Sequence, residues 1–157
     1  MMSNIKLGHK ERESHMSTEI SNQEPLSCAA QPDWFLQSLV NLANNSDVEI
    51  GITLQVSGLL VSGTLVGGKK YFEGFAEDFS SAFANDPESA ESIKSSFTKY
   101  GEIYQKEESE EVPPPQYIHM KDTHFFSTAG NPIPGNRGVW WRGRVAEVGG
   151  FILGSLS

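Results

Sequence analysis

Residues 49–56 alternate without a break, with Ile50, Ile52, Leu54 and Val56 on one side and Glu49, Gly51, Thr53 and Gln55 on the other. Successive side chains of a strand point to opposite sides of a sheet, so this period of two describes a strand with one buried face. Ser57-Gly58 supplies a two-residue turn and residues 59–66 return as a second strand, which makes the segment a β-hairpin. Gly63, inside the second strand, predicts a bend or the close approach of another backbone. A lone hairpin is marginal in water. The rest of the chain must therefore supply strand partners for its edges and cover for its apolar face.

The flanks offer both. Residues 32–44 place Leu36, Leu39, Val40 and Ala43 at helical spacing, on one face of a helix that Pro32 starts and Asn44-Asn45-Ser46-Asp47 ends. Trp34 and Phe35 add bulk at its first turn. After Gly67-Gly68, a helix over 69–84 sets Phe72, Phe75, Phe79 and Phe83 three or four apart. Full burial of such a stripe would contribute roughly 6–12 kcal/mol of gross transfer free energy. Its first reading is core and its second a docking surface for a partner. Asp86-Pro87 opens another helix, on which Ala90, Ile93, Phe97 and Tyr100 keep phase until Gly101. The two helices form a helical hairpin. Strands are expected over 117–126, 139–148 and 151–156, the last two separated by Gly149-Gly150. Residues 127–138, rich in proline and glycine, form a loop.

The expected fold is α+β: an N-terminal helix and a strongly bent five-stranded antiparallel sheet, with the helical hairpin inserted between strands 2 and 3. That order is similar to the Sm-like, SH3-type barrel layout. Residues 31–157 are read as a single domain, with the helical insert over 69–101 and an acidic linker over 102–115 ending in Pro113-Pro114-Pro115. Residues 1–30 are polar and aperiodic, the composition of a disordered tail. Met16 is a second candidate start, because Lys10-Glu11-Arg12-Glu13 ahead of it uses purine-rich codons.

Charge is unevenly placed. The chain carries a net −8, and residues 73–111 alone hold eleven acidic groups against Lys94, Lys99 and Lys106. From residue 112 onward, Lys121, Arg137, Arg142 and Arg144 face only Asp122 and Glu147. An acidic field opposes nucleic-acid phosphate, whose binding rests on clustered Lys and Arg. Cys28 is the only cysteine, which excludes an intrachain disulfide and a cysteine zinc cage. No apolar run reaches the ~20 residues that span a bilayer and no signal-peptide pattern is present, so a cytoplasmic location is expected.

The chemistry-bearing residues form no catalytic set. His119 and His124 are five apart on one predicted strand, a separation that points them to opposite faces and makes them surface or half-buried histidines rather than metal ligands. There is no phosphate loop, dinucleotide fingerprint, nucleophile elbow or HExxH, and no cofactor or metal is expected. On residues 139–148, Trp140, Arg142 and Arg144 share one face and Val139, Trp141, Gly143 and Val145 the other. With Arg137, the first face is a candidate protein contact, as Trp and Arg are enriched at binding hot spots. Its alternatives are a packed surface and a stacking site for RNA. The matching acidic candidates are Glu107, Glu108, Glu110 and Glu111.

Three blocks in order carry a family likeness: Ile52-Thr53-Leu54-Gln55-Val56-Ser57-Gly58 with Val61-Ser62-Gly63-Thr64-Leu65; Ile118-His119-Met120-Lys121-Asp122-Thr123; and Trp141-Arg142-Gly143-Arg144-Val145-Ala146-Glu147-Val148, continuing through Gly150-Phe151 and Leu153-Gly154. Together they resemble the gas vesicle protein U family. The resemblance implies a non-enzymatic accessory protein beside gas vesicles, the gas-filled protein shells that give some microbes buoyancy. It implies a role in vesicle assembly or vesicle–vesicle association, through contacts with shell or other accessory proteins and with other copies of itself. The alternatives are an Sm-like RNA-binding module and a chaperone-like holder of shell subunits that uses the phenylalanine stripe.

Overall fold

A computed structural model of the chain describes residues 31–105, 111–133 and 137–156. The expected tail over 1–30 lies outside the described residues, as do Glu107, Glu108 and Glu110 of the acidic linker.

Helix α1 runs Trp34–Asn45, and Asp33 is its cap, accepting from the Phe35 N–H at 2.8 Å. It therefore starts later than Pro32 suggests, because a carboxylate that satisfies a first-turn donor fixes the boundary. Strands β1 (Ile50–Val56) and β2 (Leu59–Val66) pair as the expected hairpin across Ser57 and Gly58, both at positive φ. The insert follows as α2 (Gly68–Ser81) and α3 (Pro87–Lys99), the latter capped by Asp86. Helix α3 ends at Lys99, beside the expected stop at Gly101, and the chain continues as a 3-10 turn, Tyr100–Tyr104. A Cβ on Gly101 would sit 3.1 Å from Lys69 Cα, so glycine eases the close approach between α2 and the turn.

Strand β3 (Tyr117–Ser127) leads to β4 (Val139–Arg144) and β5 (Val148–Leu153). The expected single strand over 139–148 is thus divided. A 3-10 corner at Val145–Glu147 replaces the expected Gly149-Gly150 turn, and both glycines lie inside β5. The corner is fixed by burial: Val145 has no exposed surface and its N–H donates to the Gln116 carbonyl at 2.9 Å.

All pairings are antiparallel, in the order β4-β3-β2-β1-β5. This order places β4 and β5 at opposite edges although only three residues join them. Four inter-strand gaps in a flat sheet span about 19 Å, whereas four Cα steps reach about 14 Å at full extension, and less when wound into a 3-10 turn. The sheet has to bend. Register shifts at Gln55/Val56, between Ser62 and Thr64, and between Met120 and Thr123 supply the local twist that bulges provide.

The sheet has two covered faces. On the first, Ile52, Leu54, Val61, Leu65, Ile118, Met120 and Val145 meet Leu36, Val40 and Ala43 of α1 in the main core. On the second, the cross-strand row Val66, His119, Arg142 lies under the insert. Residues after β5 tie down β1 and β2: Thr53 Oγ1 donates to the Gly154 carbonyl at 2.8 Å and shares a hydrogen bond with Ser62 Oγ, which accepts from Leu156 N–H.

Leu54 is fully buried in this core, so Leu54→Ala is expected to lower stability by about 2–5 kcal/mol, read from urea unfolding. Ile152, on the neighbouring strand but 60% exposed, should lose no more than about 0.5 kcal/mol on the same truncation.

Candidate protein-interaction site

The site begins with alternation on β4. Trp140, Arg142 and Arg144 share the face that pairs, in register, with His119 and Tyr117 of β3, the partners being His119 with Arg142 and Tyr117 with Arg144. Helix α2 lies on this face at a distance only glycine permits. A Cβ on Gly74 would be 1.9 Å from the Trp140 ring, and one on Gly68 would be 2.5 Å from the Tyr104 ring. Gly74, in the interior of α2, costs the helix about 1 kcal/mol relative to alanine, and each of the two glycines admits an aromatic ring against the helix backbone.

His119 is enclosed at the centre of these rings. Its imidazole has no exposed surface and lies 4.8 Å from Tyr71, 5.3 Å from Tyr104 and 5.9 Å from Phe72, centroid to centroid. This corrects the expectation of a surface or half-buried histidine. The expectation that His119 and His124 face opposite ways also fails. An extra residue near Asp122, which has positive φ, shifts the register so that His119 pairs with Val66 and His124 with Ser62, an even separation on β2 and hence one face. Four strand positions still put them about 13 Å apart, and among the described residues no group of His, Cys, Asp or Glu could hold a metal.

Burial, and secondarily the neighbouring Arg142 charge, push the His119 pKa down to about 3. The ring is neutral near pH 7. Its Nε2 accepts from Arg142 Nε at 3.1 Å, which requires its proton to be on Nδ1. That nitrogen is buried and has no hydrogen-bond partner among the described residues. Arg142 itself is exposed, with its guanidinium carbon 3.7 Å from the Tyr117 ring centroid and 5.8 Å from that of Phe72. The described ion pairs are Lys70 and Lys121 with Glu49, and Lys94 with Glu77. Among the described residues Arg142 has no carboxylate partner.

The structure thus brings two of the sequence candidates together, since the start of the phenylalanine stripe packs on the β4 face. Phe72 and Phe75 are half-buried, and Trp140 meets Tyr71 edge-on at 6.1 Å. The stripe then runs outward along the helical hairpin. Phe79 stacks on Phe75 and meets Phe97 of α3, yet Phe79 remains 44% and Phe83 38% exposed. Tyr100, which packs on Phe72 at the inner end of the stripe, and Ile103 are also exposed. Arg144 and Arg137 are exposed at opposite ends of β4, and Glu111 is exposed ahead of β3. A second apolar surface follows the β5 edge, where Phe35 packs on Phe151 and Trp34, Ile152 and Leu153 are exposed. Sequence reasoning missed the burial of His119 and the part played by Tyr104 and Tyr117. The available signal was Gly74, a glycine inside a helix otherwise dense in aromatics.

The family described as Gas vesicle protein GvpU-like matches residues 33–156. No curated protein and no solved structure matches the chain.

The folded chain keeps His119 neutral down to about pH 3, whereas an unfolded histidine titrates near 6.5. Between those values the unfolded chain holds the extra proton. The His119 contribution is therefore complete above about pH 6.5 and declines as pH falls, by up to about 1.4 kcal/mol per pH unit. Glu49 and Asp86, held down by hydrogen bonds from Lys121 and Ser89 respectively, lose their contributions only once pH falls into the ordinary carboxylate range, at the acidic end of this window. In urea unfolding at neutral and mildly acidic pH, His119→Leu should flatten the slope. A slope equal to the wild type would place the proton elsewhere.

Proposed function

The chain belongs to the gas vesicle protein GvpU-like family, and on that premise we propose that it is a non-enzymatic accessory protein that modulates vesicle assembly or vesicle–vesicle association. It works through reversible contacts with shell or other accessory proteins and with further copies of itself. The observation that carries this reading is the separation of exposed charge. Glu73, Glu77, Asp78, Glu88, Glu91 and Glu102 are exposed on the helical insert, while Arg137, Arg142 and Arg144 are exposed along β4. A contact between unlike surfaces of two copies is heterologous and leaves a free surface at each end, so it extends rather than closes. The exposed β5 edge, with Ile152 60% and Leu153 67% exposed, supports a second route by strand addition.

Exposed ion pairs contribute about 0–1 kcal/mol each and are screened beyond roughly 8 Å at physiological salt. Association is therefore multivalent and salt-sensitive. Among the described residues no helix is long and apolar enough to cross a membrane, in keeping with attachment through protein contacts. Sedimentation at low salt should show species larger than the monomer that diminish at high salt. A monomer unchanged across both conditions rules the reading out.

The exposed outer half of the stripe favours a second reading, in which Phe79 and Phe83 hold apolar shell subunits before assembly. These side chains lie beyond the part of α2 that is seated on the sheet. Replacing both with Ser should leave the cooperative unfolding transition in place and abolish capture of shell subunits in a pull-down. Capture at wild-type levels removes this reading.

A further inference from the structure

We infer that Arg142 is a prepared carboxylate receptor, whose terminal guanidinium nitrogens take an Asp or Glu side chain from an acidic segment of a partner protein. This rests on the reading that the chain acts through protein contacts, and it assigns one residue and one ligand chemistry to that action.

A guanidinium can grip a carboxylate through its two terminal nitrogens or through Nε and one of them. Here Nε is committed to His119 at 3.1 Å, which leaves the end-on fork. The plane is held as well as the edge, because the Tyr117 ring lies 3.7 Å from the guanidinium carbon. Two anchors on one flexible side chain remove much of the ordering entropy that an exposed arginine otherwise loses on binding. The arginine is nonetheless exposed, so the fork is reachable.

The identity of the anchor matters. A carboxylate at position 119 would orient Arg142 equally well but would also neutralise it. A neutral imidazole orients the guanidinium and leaves its full charge for a ligand. The arrangement carries a cost, since His119 Nδ1 is a buried donor without a partner among the described residues and so forfeits the hydrogen bond it would make in water. Arg142 also lacks a carboxylate partner among the described residues, in a chain of net −8. The ligand class follows from charge. A single fork in an acidic protein suits a local carboxylate, whereas nucleic acid requires several cations along its backbone. Exposed Tyr100, packed on Phe72 at 6.0 Å, offers an apolar rim for the residue next to that carboxylate.

The test uses the full chain and a fluorescent oligoglutamate peptide, with the matching oligoglutamine as control, read by anisotropy at low salt. Wild type should bind oligoglutamate and not oligoglutamine. Arg142→Lys keeps the charge but loses the fork, and should weaken binding about tenfold or more. His119→Leu should weaken binding in the same direction and add nothing in the Arg142→Lys background, which separates positioning from a general loss of structure. Arg142→Lys binding like wild type overturns the proposal, as does equal binding of the two peptides or displacement of oligoglutamate by RNA of matched charge. A wild type that binds the peptide through Arg142 yet sediments as a monomer at low salt keeps the receptor and removes self-association.

Discussion

Trp140 lies so close to the backbone of α2 that no side chain larger than that of Gly74 fits between them. That contact seats the helical insert on the sheet, and the aromatic layer follows from it. Tyr71 and Phe72 come down beside His119, and Tyr104 closes the layer from the 3-10 turn. With the rings in place, water is excluded from the imidazole and the histidine stays neutral. A neutral histidine can accept from Arg142, and the arginine beyond it stays charged and exposed. One glycine thus governs a chain of consequences that begins with packing and ends with surface electrostatics.

The insert has two physical characters along one stripe. Its inner end sets Phe72 against His119 of the sheet and Phe75 against Phe97 of α3, whereas its outer end leaves Phe79 and Phe83 substantially in water. A period of three and four places all four rings on one side of a helix, but it does not say how far along that helix the sheet extends. Core and docking surface are successive portions of the same feature.

Much of the fold was legible in the sequence because its signals were periodic and local. The alternation of residues 49–56 required a half-buried strand, Ser57-Gly58 required a tight turn, and Asp86-Pro87 announced a capped helix; all are present. The errors arose where a long-range contact outweighed a local signal. Gly149-Gly150 resembles a turn, but the burial of Val145 sets the corner earlier. The bulge in β3 reversed the face of His124, and no pattern in a single strand reports an extra residue opposite its neighbour. The arginine–tryptophan face of β4 was legible from alternation, while the histidine behind it depended on which helix lay on top.

The corner between β4 and β5 works as a ruler for the whole sheet. Its three residues set the greatest separation the two outermost strands can have, so curvature is imposed by chain length as well as by twist. A longer connector would let the edges spread and draw the apolar floor away from α1. A fold of this kind accommodates extra sequence between its inner strands, where this chain carries a pair of helices, and has little room for it at the short tether that holds its rims together.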